Sequence, residues 1–367
     1  MHRGETVEWS IETVDIAPPR PGEVLVRMLA AGLCHTDLAL VRGSYPGVRR
    51  PVIGGHEGIG VVAEAGAGVD LVEGDHVLFL IPAPPCGRCH SCLAGWTHLC
   101  ETSGPQVGAG RQLSDGTARH RMDGEDVGIF VLLGLFAEYA LVNAASVLKI
   151  APDLSPFAYC TVSCAGVTGW GAVRNTAELR SGEVAVVVGV GGVGANAIQA
   201  ARHLGAGAVL AVDPLAERRQ LAVDLGADDA VPDLDTARDR VAEWTHGRMA
   251  DAVLMTAGPS DTAMMSGGLA ALGRRGRLVV VNVHPDDSAG VTLPLRELQE
   301  HEKQIRGCHS GSWHGRRGAA FLLDLAARGH YDPGAIVSRT YPLAEIERGY
   351  AEQGRGEVVR AVLDLSR

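Results

Sequence analysis

Several features that would place a chain in a membrane, on a nucleic acid or in the secretory pathway are missing from this sequence. No stretch of about 18 uninterrupted apolar residues occurs, and the N-terminal Met-His-Arg-Gly-Glu-Thr has no apolar signal-peptide run. The 33 basic residues are outnumbered by 43 acidic ones, and this net charge of -10 disfavours nucleic acid or an anionic membrane as the main partner. Internal repeats, low-complexity tracts and a separate linker are also absent. We therefore expect a soluble cytoplasmic protein with reduced thiols.

A chain of 367 residues with 46% apolar content can bury large cores and most naturally forms two domains. Residues 1–163 are rich in Gly and Pro and show short strand patterns at 24–28, 60–62 and 75–79, which predicts a β-rich domain. Over 164–306, strands alternate with helical stretches, which is typical of a parallel doubly wound sheet. A helical stretch at 318–328 and a strand at 358–364 then predict that 307–367 returns to the first domain.

Four cysteines lie close together in the pattern Cys86-x2-Cys89-x2-Cys92-x7-Cys100. Four thiolates at this spacing are enough to form a tetrahedral cage for Zn²⁺. An iron–sulfur cluster and a pair of disulfides are the alternatives, but known iron–sulfur patterns use other spacings and nothing else indicates redox transfer or secretion. The pattern favours a structural zinc in a lobe over about residues 84–102.

Two of the remaining cysteines take their meaning from their neighbours. Cys34 begins a Cys-His-Thr-Asp box, His56 lies in a Gly-Gly-His-Glu-Gly box, and Cys164 precedes a Gly-Trp-Gly sequence. One imidazole and two thiolates are the ligands of a catalytic zinc, whose fourth position is open to water or substrate. Singly, a buried cysteine is usually a small apolar residue and a histidine is more often a core or surface group than a ligand. The combination favours a second zinc site.

A third motif has the order of a dinucleotide-binding fold. The apolar strand Val184–Val188 is followed by a glycine-rich turn and then by helical periodicity. Such a turn lets a pyrophosphate approach the backbone, and the helix N-terminus favours an anion. Asp213, at the end of a second apolar strand, is placed to accept hydrogen bonds from the adenosine ribose and would repel a 2′-phosphate, so NAD is favoured over NADP. An ordinary tight turn is the alternative; the predicted cofactor-binding residues of the turn are Gly189, Gly191, Gly192, Val193 and Gly194.

Together these motifs resemble the zinc-dependent alcohol dehydrogenases of the medium-chain dehydrogenase/reductase superfamily, over nearly the full length of the chain. Segments 110–117, 123–126 and 136–142 are similar to the NDMA-dependent, or nicotinoprotein, branch, whose members hold the nicotinamide cofactor tightly. The resemblance implies a Rossmann doubly wound parallel sheet inserted into a β-rich GroES-like catalytic domain. It also implies two zinc ions per chain, NAD, and interconversion of a small alcohol with an aldehyde or ketone by hydride transfer.

The same resemblance assigns catalytic roles to individual residues. Thr36 would accept the alcohol proton, and Glu57 would act beside His56 as an outer or alternative zinc ligand. Many relatives continue the proton path with a histidine at the position occupied here by Ala39. We therefore expect the proton to leave through His35 or ordered water.

Cofactor contacts outside the glycine turn are also implied by the resemblance. His35 and Arg360 match pyrophosphate contacts, Thr168 matches the residue beside the nicotinamide ring, and Arg218 would lie near the adenosine ribose. For the two arginines a solvated surface charge is the alternative, because most arginines are exposed.

Two other functions stay open at the level of sequence. A thiol-dependent formaldehyde dehydrogenase would need a cationic pocket, which Arg111, Arg119 or Arg121 would supply. A catalytically silent NAD-binding scaffold is possible for this fold, although the Cys34, His56 and Cys164 set disfavours it. An insertion over about 101–134, which dimeric relatives share, makes a homodimer the expected assembly.

Overall fold

The computed structural model of the chain describes residues 1–3, 8–284 and 290–366. They divide into two compact units. The first comprises Met1–Cys164, His314–Ala326 and Asp332–Arg367, and the second comprises Ala165–Trp313 and Ala327–Tyr331. Among the described residues, none of the helices is both long enough and apolar enough to span a bilayer.

The chain up to Cys164 is mainly β-structure. Its strands are β1 (Asp15–Ile16), β2 (Glu23–Gly32), β3 (Val52–Ile53), β4 (Gly58–Ala65), β5 (His76–Phe79), β6 (His120–Met122), β7 (Glu125–Ile129), β8 (Tyr139–Asn143) and β9 (Val147–Lys149). Its helices are α1 (His35–Val41), α2 (His90–Leu93), α3 (Gln106–Ala109) and α4 (Pro156–Tyr159).

The second unit alternates strands and helices. The elements are α5 (Val167–Gly171), β10 (Val184–Val188), α6 (Gly192–His203), β11 (Ala208–Val212), α7 (Ala216–Asp224), β12 (Asp229–Val231), α8 (Leu234–Trp244), β13 (Ala250–Met255), α9 (Thr262–Ala270), β14 (Leu272–Val280), α10 (Leu295–Glu300) and β15 (Gln304–Gly307). All strand pairs are parallel, in the order β12-β11-β10-β13-β14-β15. This is the strand order of a dinucleotide-binding sheet, so the predicted doubly wound fold is confirmed.

The chain then returns to the first unit through α11 (Gly315–Ala327), β16 (Val337–Pro342), α12 (Ile346–Gly354) and β17 (Arg360–Asp364). There, β17 pairs with β2 and extends a sheet of order β16-β17-β2-β4-β5-β9, with β8 also on β2. A smaller sheet has the order β1-β6-β7-β3.

The cores of the two units follow from the apolar patterns of their central strands. On β2, Val24, Val26 and Met28 point to the same face and are fully buried, as the two-residue period of a strand requires. All five residues of β10 are buried because a parallel sheet is covered on both faces. The three-residue cluster and the glycine turn described below therefore lie next to well-packed strands.

Candidate functional site

Three side chains from distant parts of the sequence converge within the first unit. Cys34, His56 and Cys164 each offer one ligand atom, and these atoms lie within 4.8 Å of one another. His56 Nε2 is 3.3 Å from Cys164 Sγ. All three residues are buried, with at most 8% of their surface exposed. Two sulfurs and one imidazole nitrogen at this separation are the donor set of a zinc site with an open fourth position.

Each of the three ligands is positioned by its local backbone. Cys34 directly precedes α1 at the end of β2, and His56 follows Gly55 just before β4. Gly55 has a φ of +92°, and a Cβ there would lie 2.6 Å from the Phe136 ring, so only glycine fits this turn. Cys164 lies in a π-helical turn, Val162–Gly166, a local form often found at functional sites.

Asp37 fixes the orientation of the His56 ring. Its carboxylate oxygen Oδ2 lies 2.8 Å from His56 Nδ1, and its Oδ1 accepts a 2.8 Å bond from the Gly55 backbone N–H. Nδ1 is thereby occupied and Nε2 is turned toward the two sulfurs, as in metal-bound histidines held by a carboxylate. Asp37 had no role among the predictions from sequence, although its place in the Cys-His-Thr-Asp box was a usable signal.

The charges of the cluster suit a cation. Burial alone would lower the pKa of His56, but Asp37 and Cys34 raise it well above its usual value. A hydrogen bond from Cys164, together with the charges of Arg360 and His56, lowers the pKa of Cys34 despite its burial. The shared proton raises the pKa of Cys164. A metal ion that binds here must displace these protons, so its affinity increases with pH.

Glu57 and Arg360 form a buried ion pair beside the cluster. An Arg360 nitrogen lies 2.7 Å from Glu57 Oε1, and Arg360 also donates to the Leu33 carbonyl at 3.2 Å. Burial raises the pKa of Glu57 to about 7 even though Arg360 opposes the shift, and the pair raises the pKa of Arg360. At Gly32 a Cβ would lie 2.2 Å from Glu57 Oε1, so the glycine leaves room for this carboxylate. Glu57 thus contacts Arg360 and is not among the three clustered donors.

The remaining catalytic candidates lie on α1. Thr36 Oγ1 is 3.6 Å from Cys34 Sγ, and Thr36 is half-buried. His35 is exposed, and its Nδ1 is 3.1 Å from Nε2 of Gln353 on α12. The Tyr350 hydroxyl, also on α12, donates to the Cys34 carbonyl at 3.3 Å. No periodicity or spacing in the sequence pointed to Gln353 or Tyr350, because they lie more than 300 residues from α1.

The second cysteine cluster is compact. The sulfurs of Cys86, Cys89, Cys92 and Cys100 lie within 4.8 Å of one another. The backbone N–H groups of Cys86 and Ser103 donate to Cys100 Sγ at 3.3 and 3.5 Å. Burial opposes ionisation of Cys100, but these N–H bonds lower its pKa to about 5, whereas burial raises the pKa of Cys92 to about 12. All eight cysteines of the sequence are described, and each is free in the structure.

The glycine turn of the second unit joins β10 to α6. Gly189 has a φ of +93°, and at Gly194 a Cβ would lie 1.8 Å from the Gly189 carbonyl oxygen. Gly191 instead faces open space, with nothing within 4 Å of an added Cβ. Gly192 and Val193 begin α6, so their backbone N–H groups lie in its first turn. The turn therefore has the close helix approach and the open backbone that a bound pyrophosphate requires.

Asp213 follows β11, next to this turn. Its Oδ2 accepts from the Val190 N–H at 2.8 Å and its Oδ1 from the Leu215 N–H at 3.0 Å. Burial lowers the pKa of Arg218, and Asp213 opposes the shift. Arg218 is 7% exposed, and Arg360 in the first unit is 3% exposed, so neither is the solvated charge that the sequence had left open. Thr168 lies on α5. This helix packs closely on α6, since a Cβ added to the next residue, Gly169, would lie 2.4 Å from the Val193 carbonyl.

The chain is similar to two protein families and to several known proteins. The family described as alcohol dehydrogenase GroES-like domain matches residues 20–153, and the family described as zinc-binding dehydrogenase matches residues 192–327. The chain is 37% identical to alcohol dehydrogenase B of Mycobacterium tuberculosis, over 97% of this chain and 94% of that protein. It is 36% identical to the NDMA-dependent alcohol dehydrogenase of Amycolatopsis methanolica, over 97% and 95% of the two chains. The crystal structure of benzyl alcohol dehydrogenase from Acinetobacter calcoaceticus is similar with a TM-score of 0.89 and 27% identity, covering 99% of this chain and 97% of that one.

Proposed function

Because this chain belongs to the zinc-dependent alcohol dehydrogenases of the medium-chain dehydrogenase/reductase superfamily, we propose that Cys34, His56 and Cys164 hold its catalytic zinc. The enzyme interconverts an alcohol with an aldehyde or ketone, and a nicotinamide cofactor carries the hydride. The observation that carries the assignment is the convergence of three buried donors within 4.8 Å. When bound, zinc lowers the pKa of an alcohol oxygen and so favours loss of its proton.

The protein's own residues position the reactants and move the proton. Asp37 holds the His56 ring in one tautomer, and the Glu57–Arg360 pair places a buried carboxylate next to the donors. Thr36 accepts the alcohol proton through its hydroxyl. His35 Nδ1 lies 3.1 Å from the Gln353 amide nitrogen and position 39 is alanine, so of the two routes expected from the sequence we propose ordered water.

The proton path is tested with His35→Ala. We expect the dependence of kcat on pH and the solvent isotope effect to keep their wild-type form, because a proton path made of water does not include the His35 side chain. A shifted or flattened pH profile would instead show that His35 carries the proton.

We propose that NAD is held by the turn from Gly189 to Gly194 and by Asp213, and that it stays bound between turnovers. Support comes from the open backbone at Gly191 and from the similarity to an NDMA-dependent relative. His35 and Arg360 contact the pyrophosphate, Arg218 lies near the ribose, and Thr168 lies beside the nicotinamide.

One experiment tests the metal and the cofactor together. The purified protein is denatured, its zinc is counted, and any released nicotinamide nucleotide is identified. We expect close to two zinc ions per chain and released NAD. We also expect the native enzyme to oxidise alcohols with an artificial acceptor and to turn over little added NAD. Cys164→Ser should remove about one zinc and the activity, whereas Cys308→Ser, a matched change at a cysteine outside both clusters, should remove neither. One zinc or none in the wild type would instead fit a catalytically silent scaffold.

The ion pairs of three arginines disfavour a thiol-dependent formaldehyde dehydrogenase. The three arginines expected to form its cationic pocket are all ion-paired: Arg111 and Arg121 with Asp126, and Arg119 with Glu23 and Asp115. Their charges are therefore neutralised in part by carboxylates of the same chain. A clear stimulation of formaldehyde oxidation by a thiol would reverse this conclusion.

For assembly and organisation, we propose a cytoplasmic homodimer whose domains are residues 1–163, 164–306 and 307–367. Eight free thiols favour a reducing compartment. Strand β15 is the last strand of its sheet among the described residues, and its Ile305 is 37% exposed. An edge strand with an apolar side chain is a surface on which a second copy can pair.

A further inference from the structure

Both peptide groups that flank Cys34 accept a hydrogen bond from the C-terminal segment of the chain. Arg360, on β17, donates to the Leu33 carbonyl at 3.2 Å. The hydroxyl of Tyr350, on α12, donates to the Cys34 carbonyl at 3.3 Å. A carbonyl oxygen can only accept, so the atoms themselves fix the polarity of both bonds. All of these residues lie in the first compact unit, together with the three clustered donors.

These two peptide groups determine where the Cys34 side chain points. A peptide group is planar, so the planes on either side of a Cα atom fix the direction of its Cα–Cβ bond. At Cys34 the backbone is extended, with a φ of -106° and a ψ of 148°, and α1 begins at the next residue. Rotation of either plane would move the sulfur relative to the ligand atoms of His56 and Cys164, which lie within 4.8 Å of it.

The Tyr350 bond differs from the other two bonds that the Cys34 carbonyl accepts. Those come from the backbone N–H groups of Asp37 and Leu38 at 3.2 and 3.3 Å, both in the first turn of α1. They move with that helix and do not fix its start relative to the rest of the unit. The Tyr350 hydroxyl instead links the same carbonyl to a second helix, α12.

Tyr350 is itself held in place by close packing. It is 4% exposed and belongs to the same apolar core as Leu33 and Cys34. At the preceding residue, Gly349, an added Cβ would lie 2.6 Å from Leu33 Cδ1. The backbone of α12 therefore lies directly against the Leu33 side chain, and the buried phenol ring has little space in which to turn away from the Cys34 carbonyl.

We propose that Tyr350 is a positioning residue for the metal, whose hydroxyl holds the Cys34 carbonyl and so keeps the Cys34 sulfur in the geometry that zinc requires. The inference rests on the zinc site given under the proposed function. The effect of Tyr350 on the metal passes through the Cys34 backbone, in the way that an outer partner acts on a metal ligand.

The test is the variant Tyr350→Phe, which keeps the buried ring and removes one oxygen atom. The Cys34 carbonyl retains its two bonds within α1, so no buried acceptor is left without a donor and the variant should fold. Tyr341→Phe is the matched control, because Tyr341 is also buried and its hydroxyl donates to Glu352 at 2.6 Å. Urea unfolding measures what each change costs in stability.

Zinc affinity is measured by competition with a chromogenic chelator, and the zinc that is lost in Cys164→Ser identifies the site. Tyr350→Phe should bind this zinc about two- to tenfold more weakly, the range for one lost hydrogen bond. Tyr341→Phe should bind it as the wild type does, whatever it loses in stability. The four-cysteine cluster should keep its affinity in both variants.

Replacement of zinc by Co²⁺ reports the geometry of the site without any assay of activity. Zn²⁺ has a filled d shell and no visible bands, whereas the bands of Co²⁺ change with the arrangement of its donors. Subtracting the spectrum of Cys164→Ser isolates the bands of this site. We expect these bands to shift or weaken in Tyr350→Phe and to stay unchanged in Tyr341→Phe.

Wild-type affinity and wild-type cobalt bands in Tyr350→Phe would overturn the proposal. An equal loss of affinity in Tyr341→Phe would also overturn it, because lower stability alone would then account for the effect. If Cys164→Ser keeps both zinc ions, the zinc site of the proposed function is wrong and the role of Tyr350 falls with it. The zinc count of Cys164→Ser therefore separates failure of the site from failure of the role given to Tyr350.

Discussion

At the scale of single residues, the orientation of His56 depends on Asp37. The carboxylate occupies Nδ1 of the ring and is itself held by the Gly55 N–H. Since Asp37 is fully buried, its charge acts on His56 without screening by solvent. The ring therefore keeps one nitrogen directed at Cys34 and Cys164.

Replacement of Asp37 by asparagine should weaken zinc binding at this site about 10- to 100-fold, the usual effect of losing the outer partner of a ligating histidine. Competition with a chromogenic chelator measures the affinity, and the four-cysteine cluster of the same molecule provides an internal reference. Asp235→Asn is the control, because that carboxylate is 91% exposed and far from either cluster in sequence. Equal affinities in wild type and Asp37→Asn would show that His56 needs no carboxylate.

At the scale of elements, β6 carries a histidine that must stay neutral. His120 is 1% exposed and lies between Ile16 of β1 and Val127 of β7. Burial, with a smaller effect of the neighbouring Arg119, lowers its pKa to about 4. In the unfolded chain a histidine has its ordinary pKa of about 6.5. Between this pH and about 4, the unfolded chain therefore binds a proton at His120 that the folded chain does not bind. The stability that His120 contributes is therefore present above about pH 6.5 and is lost as the pH falls toward 4.

The variant His120→Gln should be less sensitive to acid than the wild type. Between about pH 7 and 5 the wild type should lose about 2 kcal/mol more unfolding free energy than the variant. Urea unfolding at the two pH values measures the difference, and His246→Gln, at an exposed turn, serves as the control. Parallel losses in the wild type and His120→Gln would mean that the buried ring accepts a proton in the folded state.

In the turn between β10 and α6, one glycine is needed for packing and another leaves open space. At Gly194 an added Cβ would meet the Gly189 carbonyl at 1.8 Å, whereas at Gly191 it would meet nothing within 4 Å. The first glycine is required by the packing of the helix on the strand, and the second leaves space on the open side of the turn.

Gly194→Ala should therefore destabilise the protein by about 1–3 kcal/mol, as overpacking does. Gly191→Ala should retain the wild-type unfolding free energy but bind NAD more weakly. Thermal unfolding and NAD titration on both variants distinguish the two effects. Loss of stability in Gly191→Ala with unchanged NAD binding would contradict the assignment of the open face to the cofactor.

At the scale of the whole molecule, the edge strand β15 is the surface that we propose pairs two copies. Ile305→Asp should convert the dimer to a monomer, because it places an uncompensated charge where two chains would meet. Analytical ultracentrifugation measures the mass, and Ile11→Asp, at another exposed isoleucine, is the control. A wild-type monomer, or a dimer unchanged by Ile305→Asp, would remove β15 from the interface.

Short segments of the sequence determined the four-cysteine cluster and the dinucleotide-binding turn. The Cys86–Cys100 spacing, the run from Val184 through the glycine turn, and Asp213 each lie within one short segment, so chain geometry alone brings their atoms together. The three donors of the proposed catalytic zinc site were also accessible, because their residue types form a recognisable set. The bounds of β10, Val184–Val188, were predicted correctly, because its apolar run ends at a glycine.

Only the tertiary structure decided the contacts made across long sequence separations. Asp37 on His56, Arg360 on Glu57 and Gln353 on His35 join residues 19, 303 and 318 positions apart. No periodicity links such pairs, because a buried charge or amide finds its partner through the packing of strands and helices and not through spacing along the chain. The donors of the proposed metal site can thus be read from the sequence, but the groups that hold these donors in place become visible only when the chain has folded back on itself.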